Sequence, residues 1–160
     1  MIALLSIPLA SAALPAFLQG KPSGIGAGLQ VGSLTGIAVS ARPGGELYFQ
    51  GAVNWSLTEN RLNVDGDVLW TITELVIPDS PRFLFPVYFG AGGRVRMNQK
   101  NEALPDNTFG ARIPIGMAMT PADTSLDVFF ELAPVLEFYP DIRVTMEAAL
   151  GVRIYPFSRQ

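Results

Sequence analysis

The sequence predicts an all-β fold, an eight-stranded antiparallel up-and-down transmembrane β-barrel. Three observations carry that prediction. Apolar and polar residues alternate with a period of two over about eight consecutive segments, the spacing of strands whose successive side chains point to opposite faces. Clusters of turn residues separate each segment from the next, so neighbours in sequence are expected to pair as antiparallel neighbours. Bulky apolar residues gather on one face, while small residues and balanced charges gather on the other.

The first two segments are 24–32 and 35–42, followed by a turn at Pro43-Gly44-Gly45. The third, 46–57, places Leu47, Phe49, Val53, Trp55 and Leu57 on one face and Glu46, Tyr48, Gln50, Ala52 and Asn54 on the other. Its opening, GELYFQG, nearly spells a tag-removal protease site, but Gly45 stands where that site needs Glu, and the alternation continues unbroken to Leu57. Thr58-Glu59-Asn60 turns the chain into 61–72, where Leu62, Val64, Val68, Trp70 and Ile72 alternate with Arg61, Asn63, Asp65, Asp67 and Thr71. Four more segments follow at 83–97, 108–119, 126–138 and 142–154, with gaps at 73–82, 98–107, 120–125 and 139–141. No segment carries a helical period. Pro86, Pro114 and Pro134 fall inside strands, and because proline cannot donate to a ladder, bulges or local breaks are expected there.

Alternation alone does not say which face is inside. A soluble lipocalin-like barrel turns its apolar face inward, and a membrane barrel turns it towards lipid. Size favours the second. The apolar face carries Phe49, Trp55, Trp70, Phe83, Phe85, Phe89, Phe109, Phe130 and Phe138, whereas the polar face carries ten of the sixteen glycines. The lumen of an eight-stranded barrel is only just wide enough to be filled by side chains. Charge favours it too. The polar face holds Arg61, Arg94, Arg96, Arg112, Arg143 and Arg153, matched by Asp65, Asp67, Asp127, Glu131, Glu137 and Glu147. Confined charges must pair, and arginine offers a planar fork for carboxylates. Facing lipid, such charges would cost roughly 2–4 kcal/mol each at the midplane, and together they would exceed a typical net stability of about 5–15 kcal/mol. Aromatic residues near strand ends, namely Phe83, Phe85, Phe109, Phe138, Tyr139, Tyr155 and Phe157, fit interfacial girdles.

Composition excludes several chemistries. The chain of 160 residues has no cysteine and no histidine, so disulfides, thiolate nucleophiles and histidine-based triads or metal sites are ruled out. A net charge of −3 gives no basic field for nucleic acid. Charged residues make up 16%, below the usual share of about 25%. Residues 1–12 read as a signal peptide truncated at its start, with Ala10-Ser11-Ala12 as the cleavage pattern. Residues 13–23 read as a short linker and 24–157 as the barrel domain.

With this pattern the chain resembles small outer-membrane barrels of the OmpA/OmpX type. The run MEAALGVRIYPF looks like their closing strand, although Pro156 interrupts the terminal aromatic pair and Ser158-Arg159-Gln160 extend beyond it. The blocks GIGAGLQVG, PVYFGAGGRVR, FGARIPIG, FFELAPVLEFYPD and GVRIY are similar to an uncharacterised family of small predicted barrels known from spirochaetes. The resemblance implies the bacterial outer membrane as location, the lipid bilayer and the outer-membrane assembly machinery as partners, and no defined activity.

The glycines of GIGAG recur every second residue within one strand, which is not the strand-to-helix setting of a nucleotide loop. The expected site is therefore structural: a lumen charge network of Asp65, Asp67, Arg94, Arg112, Glu131, Glu147 and Arg153, in which Arg94, Arg112 and Arg153 pair with some of the four carboxylates. No catalytic residue, cofactor or metal is expected. Two other readings stay open, a narrow passive pore on the same fold and a soluble lipocalin-like barrel for an apolar ligand.

Overall fold

The computed structural model describes residues 23–33, 35–56, 61–77, 80–98, 107–121 and 124–156. The expected signal peptide, most of the linker, Phe157 and the turn at Thr58-Glu59-Asn60 lie outside the described residues.

The alternating segments form one antiparallel sheet of nine strands. They are β1 (Gly24–Gly32), β2 (Thr35–Arg42), β3 (Leu47–Ser56), β4 (Arg61–Ile77), β5 (Ser80–Asn98), β6 (Asn107–Arg112), β7 (Ile115–Pro121), β8 (Leu126–Tyr139) and β9 (Arg143–Ile154). Sequence neighbours pair from β1 through β5, β6 and β7 share the edges of β5 and β8, and β9 pairs with both β8 and β1. The ladder thus returns to its starting strand. The β2–β3 turn needs its glycines: Gly44 and Gly45 have φ of 116° and 82°, a region that side chains with a Cβ rarely adopt.

The ninth strand comes from a break, and Pro114 explains it. β8 meets both halves in one register, with Arg112 opposite Val135 before the break and Ile115 opposite Leu132 after it. β5 does the same, with Gly92 opposite Arg112 and Phe89 opposite Ile115. β6 and β7 are therefore collinear halves of the single strand that the sequence predicts over 108–119. The Pro114 carbonyl still accepts from the Gly90 N–H at 2.8 Å, but proline has no N–H to return. Pro134 lies opposite the break: its carbonyl accepts from the Ile113 N–H at 3.1 Å. A strand residue points its N and its carbonyl to the same neighbour, so the donor missing at Pro134 faces the gap. At Pro86 the β5–β7 ladder skips from Leu84 to Val87, and β4 carries a bulge at Ile72 beside it.

One stretch differs from the sequence expectation. Residues 73–82 do not form a long loop; β4 and β5 run on as a paired hairpin to Ile77 and from Ser80. The bulge accommodates this by shifting the alternation, so that Ile72 and Leu75 both face outward.

The burial pattern fixes the orientation of the two faces. Phe49, Trp70, Phe89, Phe109, Phe130 and Phe138 are exposed, while Asp65, Asp67, Arg94, Arg112, Asp127, Glu131 and Arg153 are buried. Trp70 and Phe89 stack on the outside with centroids 5.9 Å apart. The interior also holds Tyr48, Leu69, Tyr88 and Phe129 among the alanines Ala38, Ala52 and Ala118. Glycines make room for these rings: a Cβ at Gly151 would press on the Phe129 ring, and one at Gly116 on Tyr88. Two rim assignments are corrected. Glu46 is exposed in the β2–β3 turn rather than facing inward. Tyr155 is buried inside rather than part of an outer girdle, because its hydroxyl finds polar partners there.

Candidate functional site: the interior charge network

The network is built from inward positions of β1 to β6, β8 and β9, held two residues apart by the strand period, with Tyr155 just past the end of β9. Near the end where β1 begins, Asp127 and Arg153 are ladder partners on β8 and β9. Arg153 Nε donates to Asp127 Oδ1 at 2.9 Å. Asp127 Oδ2 accepts from Arg42 Nη2 at 3.1 Å and from the Tyr155 hydroxyl at 3.0 Å, and that hydroxyl lies 2.7 Å from Ser40 Oγ. The guanidinium of Arg153 covers the Phe129 ring at 4.1 Å, and that of Arg42 covers Tyr48 at 4.5 Å. Such stacking is favourable where the cation is desolvated.

At mid-height Glu131 is the hub. Its Oε1 accepts from Arg112 Nη2 at 2.6 Å. Its Oε2 accepts from Gln50 Nε2 at 3.1 Å and from the Tyr88 hydroxyl at 3.2 Å. Arg112 also reaches Asp65 at 3.2 Å and approaches Asp67 at 3.5 Å. Gln50 couples the two levels, since its carbonyl accepts from Arg153 Nη1 while its amide donates to Glu131.

Towards the other end, Arg94 Nε donates to Asp65 Oδ1 at 2.8 Å, and its two terminal nitrogens grip Glu147. Asn54 Nδ2 donates to Asp65 Oδ2 at 2.7 Å, and Gln30 Nε2 donates to Asn54 Oδ1 at 2.6 Å. Furthest out, Arg96 and Arg143 share Glu137 at 2.6 and 2.9 Å.

All seven expected network residues face this interior, and the partner assignments sharpen. Arg94 takes Asp65 and Glu147, while Arg112 takes Asp65, Asp67 and Glu131. Arg153 takes none of the four expected carboxylates directly; Asp127 is its ladder partner and holds it. Gln50, Asn54, Tyr88 and Arg42 also belong to the network although the sequence reading does not name them; each sits at the inward parity of its strand. Parity was the signal available.

Asp65, Asp127, Glu131, Glu137 and Glu147 are each bound to at least one guanidinium. Among the described residues, no cluster of three or more acidic groups is placed to hold a metal ion. A void of about 20 Å³ lies between Gln30, Asn54, Asp65, Arg112, Glu131 and Glu147, room for about one water molecule.

No family model matches the chain, and the comparison with curated proteins gives no match. Among solved structures, the N-terminal β-barrel domain of Pseudomonas aeruginosa OprF matches with a TM-score of 0.58 and 11% identity, covering 84% of this chain and 98% of that one. The chain therefore shares a β-barrel fold with that domain.

Proposed function

We propose that this chain is an outer-membrane β-barrel protein with a structural role, its strands crossing the bilayer and its lumen closed by the arginine–carboxylate network. β6 and β7 count as one interrupted strand, which gives the eight of the sequence prediction. The observation that carries this reading is the inverted burial. Phenylalanines and tryptophan cover the outer surface, while paired charges fill the inside. In water that surface would be a large exposed apolar patch of the kind that marks a membrane or protein contact. In lipid it is the expected outer band of a barrel. A lipocalin-like binder of apolar ligands would need Trp70 and Phe89 inside, and they lie outside.

The closed lumen is inferred from the side chains that meet at mid-height, where Glu131 holds Arg112 and Gln50 and Arg112 also reaches Asp65. We read the chain as non-enzymatic, with the lipid bilayer and the outer-membrane assembly machinery as its partners. The likeness of its sequence blocks to spirochaetal barrels is compatible with this role.

Fractionation tests the reading. The chain should sediment with outer membranes and require detergent for extraction. A purified chain that stayed monodisperse in buffer without detergent would overturn it.

A further inference from the structure

The outward apolar band is not equally tall around the wall. On β1 it runs from Ile25 to Val31, both exposed, about 20 Å along the strand at ~3.3 Å per residue. β2 is no longer, ending at Thr35 and Arg42. On β8 the band runs from Leu126 to Phe138, about 40 Å, and on β5 from Phe83 to Met97, about 46 Å. With strands inclined by roughly 40°, the heights become about 15 Å on β1 and about 30–35 Å on β8 and β5. The apolar band of a membrane barrel is normally about 25 Å tall, so the β1–β2 sector falls short of it and the opposite wall does not.

Both margins of the band draw in at this sector. At one end the β1–β9 ladder stops at Gly32 opposite Ala149, whereas β9 carries Met146 and Val144 outward beyond that level. At the other end the β3–β4 ladder stops at Leu47 opposite Trp70, whereas β4 carries Ile72 and Leu75 outward beyond it. Tilting a rigid barrel moves both margins of one side in the same direction, so tilt does not lengthen a band pinched from both ends. Snorkelling needs long flanking side chains. The described residues next to this band are Ser33 and Thr35 at one end and Ser23, Gly44 and Gly45 at the other, and all of them are short. A bilayer of full thickness would also submerge the turns that end β1 and β2, where backbone groups without ladder partners are costly in hydrocarbon.

We propose that the outer face of β1 and β2 is a lipid-facing surface that thins the bilayer beside it, drawing phospholipid head groups of the two leaflets to the levels of Ile25 and Val31. Thinning is the ordinary response of a bilayer to an apolar span that is too short. The inference rests on the membrane reading above and commits to lipid, rather than a second chain, as what covers this sector.

The chain has no cysteine, so Ile25→Cys, Val31→Cys and Leu132→Cys each give one attachment point for a nitroxide label. All three positions are exposed on the outer face, and Leu132 lies midway along the β8 band. In vesicles of dioleoylphosphatidylcholine, access of oxygen against a water-soluble nickel chelate reports the depth of each label. The labels at 25 and 31 should both read at head-group level, while the label at 132 reads deep in hydrocarbon and loses access to nickel. If the label at 132 reads deep and either β1 label lies below head-group level, thinning is overturned and the membrane reading stands. A label at 132 open to nickel would overturn both. β1 labels screened from oxygen and nickel alike, as by a second copy packed on this sector, would overturn the assignment to lipid.

Discussion

Arg153 and Asp127 face each other across the β8–β9 ladder, Nε to Oδ1 at 2.9 Å, and both side chains are 0% exposed. A buried pair of this kind is costly to break because the survivor is left charged and unpartnered. Asp127 also anchors Arg42 and Tyr155, so three neighbours lose their acceptor if it goes. Asp127→Ala should therefore destabilise the barrel by about 3–5 kcal/mol, measured by urea unfolding in lipid vesicles. Arg143 pairs with Glu137 but is 64% exposed, and Arg143→Ala should cost no more than about 1 kcal/mol. The joint change Asp127→Leu with Arg153→Met should recover only part of the loss, since Arg153 no longer leaves a charge behind but Arg42 and Tyr155 still lose their acceptor.

A second prediction separates the two faces by glycine. A Cβ at Gly151 would run into the Phe129 ring, whereas one at Gly66 meets nothing within 4 Å. Gly151→Val should cost about 1–3 kcal/mol by overpacking. Gly66→Val, on the outer face of β4, should stay within about 0.5 kcal/mol of the parent. Equal penalties in the same unfolding assay would argue against the assigned faces.

A third prediction concerns conductance. With Arg112 and Gln50 both bonded to the Glu131 carboxylate inside the lumen, the parent chain should be silent in planar bilayers. Arg112→Ala combined with Glu131→Ala removes the hub and should give steady, resolvable current. Steady current from the parent would favour the pore reading over the closed lumen.

Much of this was legible because a strand's period of two is a local property. The bounds of β1 and β2, the outward phenylalanines and the inward position of all seven network residues follow from parity along each strand. The break at Pro114 was also legible, since a missing N–H is written in the residue itself. The β4–β5 hairpin was not. The sequence reading ends the fourth segment at Ile72 with a gap over 73–82, but pairing of Leu75 with Phe85 and Glu74 with Pro86 carries the strands on, and a bulge at Ile72 hides the continued alternation. The partner choices were not legible either. Gln50 bridges Arg153 and Glu131 across the lumen, and such a contact depends on the closure of the sheet rather than on any one strand. Tyr155 shows the same limit: an aromatic at a strand end looks like a girdle residue until Asp127 and Ser40 are seen around its hydroxyl.

The inside-out orientation is tested most directly by fluorescence quenching of the two native tryptophans, Trp55 and Trp70, in vesicles containing doxyl-labelled lipids. Trp70 is 41% exposed on the outer face against Phe89, and Trp55→Phe isolates its signal. Strong quenching of Trp70 by the lipid label, with little effect of aqueous iodide, is the predicted result. Quenching by iodide with none by the labelled lipid would contradict a lipid-facing apolar surface.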